Sequence, residues 1–331
     1  MRQLARVLTL CASSTFASLA MAQPFNFALW GDMPYAKNND AEQTSAVIES
    51  INRSDIRFSI YDGDIKDGSS QCTDNVYTDA VKMFNRLKMP AVYVPGDNEW
   101  TDCHRTNNGG YNGIERLDHL RQVMFGQPNS YGQRTLKLAH QGKPGQAYAE
   151  NTRFAYNGIM FVNVNMPGSN NNLVLSDKDC TKKSARTPTD CEASNAEYKA
   201  RDEANTEWLR SAFTIAQRTR QAGLVLTFQG DPGFDVPETE EEDESKDPRF
   251  DGYRAFMGAL VKETENFKGQ VLVVHGDTHF FKMDKPLYSP GKVLANLTRL
   301  QTFGSPVNHW VKVSVNVKSP EVFTIRPVMV P

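Results

Sequence analysis

The stretch Phe58-Ser-Ile-Tyr-Asp-Gly-Asp-Ile-Lys-Asp67 decides how the chain is to be read. Its apolar run, Phe58 to Tyr61, has the length of a buried strand and is followed at once by a Gly-Asp pair, Gly63-Asp64. The same arrangement recurs on both sides. Phe25-Asn-Phe-Ala-Leu-Trp30 runs into Gly31-Asp32-Met33-Pro34, Ala91-Val-Tyr-Val94 into Gly96-Asp97-Asn98-Glu99, and Val271 to Val274 into Gly276-Asp277-Thr278-His279. Amphipathic segments, Ala46 to Ile51 and Tyr77 to Leu87, lie between the first three strands. This strand, helix, strand, helix, strand order is that of a largely parallel sheet in an α/β fold.

Further along, a long helix is expected from about Ser194 to Arg220, with Trp208, Leu209, Ala212, Phe213 and Ala216 forming a core-facing stripe. A strand is expected at Gly223 to Phe228. The last forty residues read as an antiparallel set, Arg299 to Phe303, Trp310 to Val317 and Val322 to Val328. Two polar stretches, about 177–192 and 236–248, read as insertions in a single domain over 23–331; the second holds the acidic block Glu238 to Asp247, a solvated loop.

Residues 1–22 differ in kind from the rest. Arg2 and Arg6 precede an apolar run, Val7 to Ala20, that ends at Ala20-Met21-Ala22, the pattern of a cleaved signal peptide. A lipoprotein signal centred on Cys11 fits less well, because bulky Leu10 precedes it. No later segment approaches the ~20 apolar residues of a spanning helix, so the expected location is periplasmic or secreted. Without Arg2 and Arg6 the 37 basic residues become 35 against 39 acidic ones, a formal charge of −4 that offers no basic surface for nucleic acid. Loss of Cys11 leaves Cys72, Cys103, Cys180 and Cys191, an even count that suggests two disulfides in an oxidising compartment. Of three connectivities, Cys72–Cys103 is favoured because both residues follow Gly-Asp loops, and Cys180–Cys191 because it closes a polar excursion. Oligomeric state leaves no trace in the sequence.

Position gives the four Gly-Asp loops their meaning, since open α/β sheets bind ligands in the loops beyond the carboxyl ends of their strands. Glycine before each aspartate lets the backbone turn tightly, so that Asp32, Asp64, Asp97 and Asp277 can converge. Four converging carboxylates would repel one another, and a pair of divalent cations would balance them.

These residues resemble the calcineurin-like metallophosphoesterases, whose motifs run Asp-x-His, Gly-Asp-x-x-Asp, Gly-Asn-His-Glu/Asp, a lone His, and Gly-His-x-His. The best match is Gly63-Asp64-Ile65-Lys66-Asp67, and the resemblance covers most of the mature chain. It implies a sandwich of two mixed β-sheets flanked by helices, with the metal site at strand C-terminal ends. It also implies that Asp64 bridges two metals, that Asp32 and His279 complete the ligands of the first metal, and that Asp97 and Asp277 serve the second metal. The departures are specific. Pro34 stands for a histidine, Asp97 for asparagine, Asn98 for histidine and Asp277 for histidine. The lone-His motif falls in Leu226 to Asp231, where Gln229 or Asp231 would substitute. Asp67 holds the place where the purple acid phosphatase branch has a tyrosine, which makes it a further candidate ligand.

So acidic a set suits Mn, Mg or Ca better than Fe or Zn. The resemblance implies hydrolysis of a small phosphate ester, mono- or diester, by a metal-bound hydroxide, with Asn98 orienting the ester. Asparagine cannot protonate a leaving group, and His104 is the candidate acid in its stead. Arg105 is a candidate phosphate clamp. His275 reads as packing or support for His279, and His309 as a core histidine. Tyr35, Glu99 and Trp100 read as residues that orient the loops, while Asn163, Asn165, Asn170 and Asn171 either face the site or fill a turn-rich loop. The missing histidines motivate the alternative of a catalytically weak or inactive binding or structural protein. Calcium binding for stability alone is a third reading, which leaves His279 unexplained.

Overall fold

Strand β1 (Phe25–Trp30) shows why the chain folds in layers: Phe27 and Leu29 point to one side and Ala28 and Trp30 to the other, and all four are buried. A strand apolar on both faces must be covered on both. A computed structural model supplies the architecture and describes residues 23–234, 244–289 and 291–331. The signal peptide at 1–22 and positions 236–243 of the second insertion lie outside the described residues.

In chain order the strands are β1, β2 (Ser59–Tyr61), β3 (Ala91–Tyr93), β4 (Ala139–His140), β5 (Thr152–Tyr156), β6 (Ile159–Asn163), β7 (Gly223–Thr227), β8 (Gln270–His275), β9 (Lys282–Asp284), β10 (Tyr288–Ser289), β11 (Lys292–Val293), β12 (Leu297–Gln301), β13 (Trp310–Val315) and β14 (Phe323–Val328). Among the described residues, one sheet has the order β14-β13-β1-β2-β3 and a second the order β4-β5-β6-β7-β8-β12-β9. Both are mixed. The strands β1, β2 and β3 run parallel, with β13 and β14 antiparallel beside them. In the second sheet β6, β7, β8 and β12 are parallel, and the β4–β5, β5–β6 and β9–β12 pairings are antiparallel.

The sheets pack face to face over Phe27, Phe58, Phe161, Val225, Leu272 and Val313. Helices Ala41–Arg53, Asp74–Phe84 and Gly113–Met124 cover the outer face of the first sheet against Trp30, Tyr61 and Tyr93. Helices Pro188–Arg218 and Arg254–Asn266 cover the second against Val162, Leu224 and Val273. This is the sandwich of two mixed β-sheets flanked by helices that the resemblance implies; the alternation of strands and helices accounts for its parallel strands.

Two expectations are corrected. The last forty residues do not form one antiparallel set: β12 joins the second sheet parallel to β8, while β13 and β14 join the first. The reason is burial, because Leu297 faces the helix layer and Leu300 the space between the sheets, so β12 needs cover on both sides. The long helix begins at Pro188, ahead of the expected Ser194. Thr187 and Asp190 close a reciprocal capping box with Pro188 at the first turn, converting part of the first polar insertion into helix. Both disulfides are present in the expected pairing, Cys72–Cys103 with Cα atoms 5.7 Å apart and Cys180–Cys191 with 5.9 Å. No helix of the described residues is long and apolar enough to cross a membrane.

Candidate metal centre

The carboxyl ends of β1, β2, β3 and β8 bring their Gly-Asp loops together. The glycines permit the approach: a Cβ on Gly96 would lie 2.1 Å from Asp64 Oδ1, and one on Gly276 2.2 Å from Asp32 Oδ2. The functional residues bend with them. Asp32, Asp64, Asp277 and His279 all have positive φ, at 52°, 60°, 72° and 67°, a region that costs non-glycine residues energy and gathers at functional sites.

Donor atoms of Asp32, Asp64 and His279 lie within 4.8 Å of one another. His279 Nδ1 is 2.6 Å from the Ser305 carbonyl, which places a proton on Nδ1 and turns Nε2 toward Asp32 at 3.5 Å; burial lowers the imidazole pKa, but the hydrogen bond and charge of Asp32 outweigh it and raise the pKa. With Nδ1 committed to the carbonyl, Nε2 is the nitrogen a metal would take in place of a proton. Asp32 Oδ2 is buried with no hydrogen-bond partner. Burial, then the charges of Asp97, Glu99, Asp32 and Asp277, push the Asp64 carboxyl well above the usual carboxylate range. An orphaned carboxylate oxygen, a preset imidazole and mutually repelling acids fit a divalent cation.

Tyr35 enters this cluster. Its hydroxyl donates to Asp64 Oδ2 at 2.8 Å, lies 3.2 Å from His279 Nε2 and accepts from the Asn98 side chain at 3.2 Å. Asn98 also binds Asp64, through its backbone N–H at 3.1 Å and through its side-chain amide. Glu99 turns away, accepting from Tyr93 and from the Gly96 N–H, both at 2.7 Å.

The second half of the expected site is built differently. Gln229 Oε1 accepts the Gly168 N–H at 2.6 Å, which fixes the orientation of the side chain. Its NH2 group therefore points between the carboxylates, 3.4 Å from Asp97 and from Asp277. A neutral donor thus occupies the space between two acids, and Gln229 offers no oxygen to a cation there. Asp67 is also apart from the converging donors. Ser69 takes one of its oxygens and the Lys37 N–H the other; burial raises its pKa, and these bonds outweigh burial to hold it below the usual range.

His104 and Arg105 stand on the rim. Burial and the charges of Arg186 and Arg105 push His104 down to about 3, so at neutral pH it is a neutral imidazole, too weak an acid to protonate a leaving group. Arg105 pairs with Asp102 at 2.7 Å and donates to Ser169 Oγ at 3.2 Å. Ser169 in turn donates to Asp97 at 2.7 Å or Asp102 at 2.8 Å, linking rim to centre.

Ser169 begins an unusual loop. From Ser169 to Asn172 four successive residues have positive φ, a left-handed turn that asparagine tolerates better than most residues. Gly168 is needed at its head, since a Cβ there would lie 2.8 Å from both Asp97 and Asp277. Buried Arg201 secures the turn by binding the carbonyl of Asn171 at 2.9 Å and that of Asn165 at 2.9 Å. Asn163 bonds Thr152 and Asn165 bonds Glu150, so neither is spent on the centre. The run of asparagines was the one visible signal for this loop. His275 is fully buried between Phe228 and Phe234, and burial lowers it to about 4.

The chain superposes on the solved structure of PhoD with a TM-score of 0.58, at 11% identity, over 92% of this chain and 68% of that one. The fold is that of the calcineurin-like metallophosphoesterases. Other structures with likeness to this metallophosphoesterase fold are GAP50, the anchor in the inner membrane complex of Plasmodium (TM-score 0.46, 14% identity, 93% of this chain and 89% of that), and the 5'-nucleotidase of Candida albicans (0.45, 12%, 92% and 51%). No protein-family model matches the sequence, and no characterised protein matches it by sequence.

Proposed function

We propose that the chain is an exported metal-dependent hydrolase of phosphate esters, and that Asp32, Asp64 and His279 hold its cation. The observation that carries this reading is the convergence of two buried carboxylates and a preset imidazole within 4.8 Å on a metallophosphoesterase fold. A divalent ion bound there would offset the carboxylate charge and acidify a water. Tyr35 and Asn98 fix the position of the Asp64 carboxylate, and Asn98 would orient the ester. Arg105 serves the rim. The two disulfides support an oxidising compartment, periplasmic or extracellular.

With His104 neutral, no protonated imidazole on the rim assists a departing alkoxide. The proposed activity is therefore confined to good leaving groups. The test is hydrolysis of p-nitrophenyl phosphate and its diester with Mn, Mg and Ca, beside Asp64→Asn. The account expects metal-dependent turnover in the wild type and a loss of roughly 100-fold or more in the variant; equal rates would refute it.

A second reading, a metal-binding protein without turnover, draws on one observation: the Gln229 amide stands between Asp97 and Asp277, where a two-metal site would need a cation. Metal binding with no turnover on any ester would select it.

A further inference from the structure

Near the candidate metal centre lies a cleft of about 530 Å³, within the range of ligand sites, whose lining includes Ser169 and Asp102. Ser169 Oγ is 2.7 Å from Asp97, so the lining of the cleft touches the Asp97 loop. Its far wall comes from the first insertion. Arg186 is half-buried there and donates to the backbone carbonyls of Asp179 at 3.0 Å and Cys180 at 3.3 Å. Among the described residues it makes no ion pair with a carboxylate. Lys182, from the same loop, is exposed and makes no side-chain bond among the described residues. Of the acids in the lining, Asp102 pairs with Arg105 and Asp179 accepts from Ser176 at 2.7 Å, and both also act on the Arg186 charge through space. The Cys180–Cys191 disulfide ties this loop to the start of the long helix, so its two cations stand on a braced segment.

Two cations on this wall, in a cleft whose lining reaches the Asp97 loop, suit a second anionic group on the substrate. We propose that the cleft selects phosphoanhydrides, substrates whose leaving group is itself a phosphate, with Arg186 and Lys182 binding that departing phosphate; this rests on the hydrolase reading above. The chemistry agrees with the rim. In an anhydride the water oxygen bonds to one phosphorus, the bond from that phosphorus to the bridging oxygen breaks, and the electron pair stays on the departing phosphate. The two protons of the water end on the two product phosphates. No acid is needed at the leaving oxygen.

The test compares tripolyphosphate with p-nitrophenyl phosphate in wild type, Arg186→Gln and Lys182→Ala, with Mn present. The ratio of kcat/KM values, anhydride over aryl ester, should fall roughly 10-fold or more in each variant, the loss of a charge-assisted contact. An unchanged ratio in both variants overturns the proposal. Lys182→Ala removes an exposed side chain with no bonds, so misfolding does not confuse the result. If the wild type hydrolyses neither substrate, the hydrolase reading fails, and calorimetric titration judges the cleft separately. Inorganic pyrophosphate should then bind about 10-fold tighter than orthophosphate, with that margin lost in Arg186→Gln. Equal binding of the two anions by the wild type would overturn the cleft assignment as well.

Discussion

The Gln229 side-chain amide lies 3.4 Å from an Asp97 carboxylate oxygen, held there by the Gly168 N–H on its own carbonyl at 2.6 Å. The amide also faces Asp277, so two acids share a neutral donor where a second cation would need an electron-pair donor. Gln229→His should supply that donor. Elemental analysis should then find about two ions per chain in place of about one, since imidazole and carboxylates make a first-row metal site. An unchanged stoichiometry would show that the carboxylates, not Gln229, limit the site.

Tyr35 supports the Asp64 carboxylate through a 2.8 Å hydrogen bond and faces His279 Nε2. Tyr35→Phe should weaken metal affinity roughly 10- to 100-fold, the usual effect of removing a partner of a ligand. A metal titration with a competing chelator measures it directly. Undiminished affinity would remove Tyr35 from the centre.

Much of the fold was legible because burial dictates it. Strands apolar on both faces, each running into Gly-Asp, placed β1, β2, β3 and β8 in parallel sheets with their loops on one edge. The pairing of β12 was not legible, because a five-residue strand buried on both faces carries no mark of its neighbour or direction. In the candidate site, Asp32 and Asp64 came from the loop pattern and His279 from the family resemblance. Tyr35 was visible only as a residue beside a loop, and its role arises from the path of the backbone after Asp32. Asp67 shows the converse: its spacing matched a motif, yet Ser69 and Lys37 N–H groups claim its oxygens. Whether Gln229 presents its oxygen or its nitrogen is likewise decided by a backbone N–H sixty-one residues away.

Asp202, on the long helix, is buried with an unpartnered oxygen, and burial raises its pKa to about 6. A carboxyl raised above its unfolded value favours the folded state fully only below about pH 4 and loses that contribution as pH rises through about 6. Asp202→Asn should therefore stabilise the protein by about 1–3 kcal/mol at pH 8, with the gain vanishing near pH 4. Urea denaturation at the two pH values checks both sign and window.

The Cys180–Cys191 bond closes a short loop, with a sequence separation of 11. Replacing both cysteines by serine should cost about 2–3 kcal/mol, chiefly through the unfolded chain. The same change should loosen the Arg186 wall, seen as a reduced preference for pyrophosphate over orthophosphate. A stability loss with unaltered anion preference would mean that the wall stands without the bridge.

Whether Asp32, Asp64 and His279 form a metal centre is read from the metal content of the mature protein beside Asp64→Asn. The account predicts about one tightly held divalent cation per chain in the wild type and little or none in the variant. No metal in the wild type, or equal content in both, would contradict it.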